Sequence, residues 1–372
     1  MKKDSIIDKK LLKNIDIWIL ISVILLFVIG LVAISSATGV PHGGSLKHVK
    51  IQSAAFLLGI VAMIITLFFD YNTFGELSKA IYIISILLLI AVLIFGIEVK
   101  GSKSWFDFKV VNFQPSELVK IGFIISFAKL LEKREGNLNN LKGVLPIVLY
   151  IIPIVGLIIL QNDFGTALVF IFFIAFMLFA AGISYRYVIG AAILGILSFP
   201  LLWIYVFEDY QRKRILVFLN PELDPLGRGY HVIQSKIAVG SGQFWGKGLY
   251  QGTQNNLGFI PERHTDFIFS VIGEELGLVG SLIVILLFML LIMRCIYIAN
   301  ISKDSFGKYI CIGVMAMFLF HVLENIGMTI GMMPVTGIPL PFVSYGGSAL
   351  LTNMIAVGLV LNVGMRRQII RF

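Results

Sequence analysis

Asp266 lies between Pro261 and Phe269, where a polar stretch gives way to an apolar one. Thr265 could cap the helix that follows, and the helix dipole would then stabilise a carboxylate at this place. A base for chemistry and a plain structural end-group are both open for Asp266. Glu274 and Glu275 come about two turns later on the same expected helix. Ionisable groups at membrane depth are costly, so these two should serve either function or basic partners. Glu117 and Lys120 are spaced i, i+3, share a helix face and are close enough to pair. Arg212, Arg214 and Lys247 fall in one long polar segment and could hold an anion. Gly240, Gly242, Gly246 and Gly248 allow a phosphate to approach the backbone, or simply make turns. The Walker pattern is absent, since no Ser or Thr follows the lysine. His42, His48, His231, His264 and His321 are scattered without metal-ligand spacing, which speaks against a zinc site.

The elements that must position these groups are membrane helices. Of 372 residues, 58% are hydrophobic and 14% charged, too little polar surface to cover a soluble globule of this size. Charge-free stretches of about 18 or more residues recur at Ile17–Ser36, Ile51–Phe69, Ala80–Ile97, Gly143–Asn162, Phe164–Tyr185, Tyr187–Phe207 and Leu276–Met293. The uncharged run Asn325–Met365 holds the end of one helix and all of the next, and a weaker span over about Ser116–Leu131 carries Glu117, Lys120 and Lys129. The expectation is one all-α, polytopic integral membrane domain over residues 1–372, with about ten transmembrane helices. The first is read as an uncleaved helix rather than a secretory signal, because its apolar run is too long for one and further spans follow.

An even helix count puts both termini on one side. Lys133, Arg134, Lys142, Arg186, Arg294, Lys303, Lys308, Arg366, Arg367 and Arg371 then join the Lys-rich N-terminus on the cytoplasmic face. Residues 1–16 and 366–372 are accordingly cytoplasmic, and the long loop 208–265, between helices seven and eight, is extracytoplasmic. The loop at 98–114 shares that outer side, and positive charge in both loops departs from the rule. The net charge of +9 suits anionic lipid headgroups, and no nucleic-acid module is present. Residues 5–16, with Ile6, Ile7, Leu11, Leu12 and Ile15 among lysines, suit either a short helix on the inner membrane surface or a solvated tail. Cys295 and Cys311 fall near the reducing side, so neither a disulfide nor a thiolate metal site is expected. No internal repeat is visible, which weakens a transporter reading. Pro334–Gly347, uncharged but with three prolines and three glycines, cannot be one helix and is expected as a re-entrant or surface-lying loop bordering a cavity.

Several of these stretches recur in order along almost the whole chain: Phe113–Glu117, Asn162–Thr166, Gly246–Gly248, Gly252–Gln254, Pro261–Phe269, Gly273–Gly277 and Pro334–Gly347. In them the chain resembles the SEDS family of shape, elongation, division and sporulation proteins (the FtsW/RodA/SpoVE family). The stretch Gly246–Gln254 is nearer its elongation branch than its division branch. The resemblance implies a bacterial peptidoglycan glycosyltransferase that polymerises lipid II in the cytoplasmic membrane, during elongation and upkeep of rod shape. It implies a class B penicillin-binding protein (a transpeptidase) as partner, alongside other membrane proteins of an elongation complex and the membrane lipids themselves. It places a general base at Asp266, for an inverting transfer, and sets Trp105, Glu117 and Lys120 around one outward cavity. Arg212, Arg214, Lys247, Glu262, His264 and Ser344 are added as candidate substrate contacts. A divalent cation, Mg or Mn, would suit the pyrophosphate, although no ligand set is legible. The alternatives are a lipid II flippase, which would need two compartments to act, and a non-catalytic cell-wall scaffold, for which Asp266 would be dispensable.

Overall fold

The computed structural model describes residues 11, 13–40, 43–99, 101–107, 112–205, 207–225 and 227–367. Most of the N-terminal segment, His42 and Arg371 lie outside the described residues. Among the described residues, seven helices are long and apolar enough to cross a membrane: α1 (Ile17–Ala37), α2 (Lys47–Phe68), α4 (Ser78–Phe95), α6 (Leu141–Leu160), α12 (Ile268–Asn300), α13 (Ser305–Thr329) and α14 (Gly347–Met365). Three further helices fill the places expected for spans: α5 (Pro115–Lys133), α7 (Phe164–Ala180) and α8 (Tyr185–Tyr205). A short α3 (Tyr71–Glu76) turns the chain between α2 and α4. This is a multi-pass, all-α membrane protein whose helix pattern follows the charge-free runs of the sequence. In a hydrocarbon solvent a helix satisfies its backbone groups within its own segment.

Helices α13 and α14 are the most enclosed of the apolar spans, and α4 is among the least. α5 survives as a buried helix despite its charges because they pair: Lys120 with Glu117 at 2.9 Å and Lys129 with Glu132 at 2.6 Å. α14 packs along α2, and the loop between α13 and α14 lies across α1. Gly30 of α1 makes that approach possible, since a Cβ there would meet the Val343 backbone at 2.6 Å.

Two local departures from the expectation shape the site. The segment expected as an outer loop near 98–114 forms a small antiparallel sheet of β1 (Ile97–Val99), β2 (Ser102–Asp107) and β3 (Asn112–Phe113). It is tied to the end of α6 by the Lys103 amide and the Ser102 hydroxyl, which donate to the Gln161 carbonyl at 3.0 and 2.9 Å. The long loop is largely helical as well, with α9 (Asp209–Leu219), α10 (Arg228–Ser241) and α11 (Thr253–Asn256). Glu208 and Gln211 form a capping box that starts α9.

α12 begins at Ile268 with Phe267 at its cap position and no side-chain cap hydrogen bond, so Thr265 is not the cap expected from sequence. The Thr265 hydroxyl instead donates to Glu262 Oε2 at 3.1 Å. The same helix breaks at Gly277, whose φ of 65° and ψ of −158° lie outside helical space. The break frees backbone groups that the glycine-rich segment then takes up. The Lys247 and Gly248 amides donate to the Glu274 and Glu275 carbonyls at 3.0 and 3.1 Å, while the Leu278 amide donates to the Gln243 carbonyl at 2.8 Å. A Cβ on Gly277 would collide with the Gly246 amide, so the glycines at 242–248 serve close backbone packing here.

Candidate active site

A cavity of about 620 Å³ opens at one end of the bundle, a size ordinary for a ligand site. Its walls come from β2, the start of α5, the α6–α7 turn, α9, α10, the segment before α12, the wall of α13 and the loop ahead of α14. Of the residues singled out from sequence, Trp105, Glu117, Lys120, Arg214, Glu262 and Asp266 line this one space. Trp105 is presented by the sheet, opposite Ile97 in the β1–β2 register.

The floor is a buried polar chain. Lys120 Nζ reaches Glu117 Oε1 at 2.9 Å and His321 Nε2 at 3.1 Å. With the ammonium donating to Nε2, the ring must carry its proton on Nδ1, which then donates to the Pro339 carbonyl at 3.1 Å. The other Glu117 oxygen, Oε2, is buried without a hydrogen-bond partner among the described residues. Glu117 lines the cavity, and a buried carboxylate oxygen left without a partner in such a residue carries a cost, as expected of a group kept for a ligand rather than for the fold. Beside it, Asp163 Oδ1 accepts from the Thr166 amide at 3.1 Å and Oδ2 from Gln114 Nε2 at 2.8 Å, capping α7. Burial pushes the Asp163 carboxyl up from its ordinary range, against the pull of the Thr166 hydrogen bonds.

Asp266 is held through its backbone. Asn325 Nδ2 donates to the carbonyls of Asp266 and Ile338 at 2.9 and 2.8 Å, stapling the segment before α12 to the proline-rich loop. Ser344 adds a second staple: its hydroxyl donates to the Thr265 carbonyl at 2.7 Å and accepts from the Leu340 amide at 2.8 Å. The Tyr345 amide donates to the His264 carbonyl at 2.9 Å. Gln52 of α2, fully buried, donates to the Ser344 carbonyl at 3.0 Å and accepts from the Gly346 amide at 3.1 Å. The loop passes Asp266 at Gly337, with φ of 81°, where a Cβ would stand 3.5 Å from Asp266 Oδ2. Thr336 is anchored by donating to Glu324 Oε1 at 2.8 Å, and its carbonyl accepts from Arg214 Nη1 at 3.4 Å. The proline- and glycine-rich stretch thus borders a cavity, as its composition required.

The remaining candidates sit elsewhere. His264 packs its ring against His48 and Tyr345, with centroids 5.0 and 5.7 Å away, in the layer behind the wall. Ser344 is a staple, as described. Arg212 lies off the cavity, 3.7 Å from Asp209 and donating to the Ile204 carbonyl at 2.9 Å. Lys247 is paired with Glu274 at 2.8 Å and bonded to Thr253. Sequence reasoning did not single out Asn325, Gln52 or Glu324, and it weighed His321 only as a metal ligand. Each lies in an apolar span, and a lone polar residue there was the available signal. Among the described residues, no group of three or more His, Cys, Asp or Glu is placed to hold a metal ion.

What the cavity can do follows from its groups: a carboxylate fixed through its backbone, a second carboxylate paired with an ammonium, an arginine and an aromatic face. This suits binding a sugar-bearing anion and taking a proton from it. The arrangement defines a polytopic membrane protein with a polar cavity opening at one end. Residues 17–369 match the family described as cell cycle protein, FtsW/RodA/SpoVE, and the chain belongs to that family. It is 42% identical over 359 residues to the peptidoglycan glycosyltransferase MrdB of Escherichia coli K12, covering 96% of this chain and 95% of that one. It is 38% identical over 361 residues to the "Probable peptidoglycan glycosyltransferase FtsW" of Trichlorobacter lovleyi, covering 95% and 93%. Among solved structures, a chain of a peptidoglycan synthase complex that coordinates polymerization and crosslinking matches with a TM-score of 0.81 and 33% identity, over 94% of this chain and 97% of that one. The rod shape determining protein RodA of Thermus thermophilus matches with a TM-score of 0.72 and 29% identity, over 95% and 97%.

Proposed function

We propose that this protein is a peptidoglycan glycosyltransferase that polymerises lipid II during cell elongation, with Asp266 as its general base. The observation that carries the reading is the convergence of Asp266, Glu117, Lys120, Arg214 and Trp105 on one cavity, from segments far apart in the chain. The 4-hydroxyl of an acceptor sugar attacks the anomeric carbon of a donor glycan carried on undecaprenyl pyrophosphate. Asp266 takes the hydroxyl proton as the new carbon–oxygen bond forms. The bond to pyrophosphate breaks on the opposite face with its electron pair, so an α linkage becomes β. A sugar hydroxyl needs a base, whereas pyrophosphate leaves unprotonated when cations meet its growing charge. One carboxylate and the cations Lys120 and Arg214 therefore suffice. Trp105 offers an apolar face for a sugar ring.

A divalent cation, Mg or Mn, would suit the pyrophosphate, and it would neutralise charge on the leaving group. No step above depends on it. The cavity faces outward and both termini face the cytoplasm. Lys133, Arg134, Lys142, Arg186, Arg294, Lys303, Lys308, Arg366 and Arg367, beside the inner helix ends, support that orientation. A class B penicillin-binding protein is the proposed partner, supported by the likeness to a chain of a synthase complex. Purified protein in detergent should make glycan polymer from lipid II. A flippase would bind the substrate but could do nothing with it where there is no second compartment, so absence of polymer from well-folded protein, with and without the partner, would overturn the assignment.

A further inference from the structure

A second cavity, of about 680 Å³, lies at the other end of the bundle. α14 gives the separation: Ser348, in its first turn, lines the active-site cavity and Met365, its last residue, lines this one, roughly 26 Å away at 1.5 Å per residue. Four separate stretches build it: Leu11 with Lys13 and Asn14, the α2–α3 turn, the α12–α13 turn and the end of α14. Each brings polar groups, and three bring the cations Lys13, Lys303, Arg366 and Arg367.

The wall is organised. Arg366 bonds Asn362, donates to the Leu67 carbonyl at 3.3 Å and pairs with Asp70 at 3.1 Å. Asn14 Nδ2 donates to the Met365 carbonyl at 3.4 Å. Tyr71, almost wholly buried, donates its hydroxyl to Asp304 at 2.6 Å. Asp70 is the only carboxylate among the lining residues, and Arg366 already meets it. Lys13, Lys303 and Arg367 form no ion pair with any described residue. The preference for cations at inner helix ends accounts for their presence on this face. It does not account for three of them converging on one preformed cavity beside Asn72.

We infer that this cavity is a binding site for an anionic phosphate group, gripped by Lys13, Lys303 and Arg367 against the rigid Arg366 wall. Two sources share that chemistry: the headgroup of an anionic phospholipid at the membrane surface, and a phosphate in solution. Basic pockets between helix ends are well suited to the first.

The test uses the full chain, purified in mild detergent and phosphate-free buffer, and titrated with phosphatidylglycerol, phosphatidylcholine or inorganic phosphate. Bound lipid is read by native mass spectrometry and the melting midpoint is recorded. Phosphatidylglycerol should bind and raise the midpoint more than phosphatidylcholine does. The variant Lys303→Gln with Arg367→Gln should bind it roughly tenfold or more weakly, with its midpoint in phosphatidylcholine unchanged. Lys13→Gln alone, at an exposed position, should weaken it by about threefold or more, and serves if the double variant does not fold. A response to phosphatidylglycerol alone identifies a lipid headgroup. An equal response to inorganic phosphate, lost in the same variants, identifies a free phosphate. Equal phosphatidylglycerol binding by wild type and variants, or no response to either anion, overturns the inference.

Discussion

Among the described residues, two places put buried carboxylates beside a lysine, and they are built to opposite ends. At the α12 break, Glu274 accepts from Lys247 Nζ at 2.8 Å and from the Gln254 and Asn255 amides at 2.8 and 3.0 Å. Glu275 accepts from the Ser36 hydroxyl at 2.5 Å, the Tyr250 amide at 3.1 Å and Asn255 Nδ2 at 3.0 Å. All four oxygens are thus engaged by the protein, and what they hold is the backbone of the glycine-rich segment. At the cavity floor, Glu117 has one oxygen on Lys120 and the other without a partner among the described residues. Residue type does not separate the two places; the count of protein donors does. A carboxylate that the fold has saturated braces the chain, whereas one left short beside a cavity is available to a ligand.

Replacing Glu117 and Lys120 together by leucine removes both charges, so no uncompensated ion is left in the core. If the pair served only the fold, that change would be neutral or stabilising. We expect folded protein whose polymerisation rate has dropped by about 10²-fold or more, about 2.7 kcal/mol of barrier. Activity within threefold would place this pair with Glu274 and Glu275. Glu274→Ala should do the reverse, stranding the Gln254 and Asn255 amides at a cost of about 2–4 kcal/mol in stability. Its signature is a lowered melting midpoint, and a surviving folded fraction of near-normal specific rate.

His321 also lines the cavity, and its ring meets Lys120 Nζ at 3.1 Å, so its proposed part is to orient the lysine. His321→Leu should lower kcat by about tenfold while KM changes little, and His321→Gln, which keeps an acceptor for the ammonium, should recover most of the loss. A loss in KM alone, or no rescue by glutamine, would mean that His321 does something other than orient the lysine. Lys247→Met is the smallest expected effect, since that lysine faces Glu274 and lies off the cavity. Its specific activity should stay within about threefold of wild type, and a 10²-fold loss would return Lys247 to the substrate.

What could be read from the chain followed the range of the interactions. Spans were legible because a hydrocarbon solvent selects them residue by residue, and even α5 was legible as a weaker span despite Glu117, Lys120 and Lys129. The proline-rich loop was legible because proline and glycine act on their own backbone. The start of α12 was misplaced because Thr265 found Glu262 as a partner instead of the helix amides. The break at Gly277 was not seen, since it depends on a segment some thirty residues earlier in the chain docking onto freed carbonyls. The same holds for Asn325 and Gln52, whose bonds to Asp266 and Ser344 close over long stretches of chain. Arg212 and Lys247 looked equivalent to Arg214 in sequence, and only the folded loop sends one of the three to the cavity.

If Asp266 supplies the base, Asp266→Asn should lose activity with its fold intact. The amide keeps the side chain's size, and the hydrogen bond from Asn325 to the Asp266 carbonyl does not depend on the side chain, so the fold should stand. The measurement is the initial rate of lipid II polymerisation by wild type and Asp266→Asn, at matched amounts of protein shown monodisperse by size exclusion. Loss of the base predicts a rate lower by roughly 10²–10⁴-fold. A rate within about threefold of wild type, only about 0.6 kcal/mol of barrier, would remove Asp266 from the mechanism.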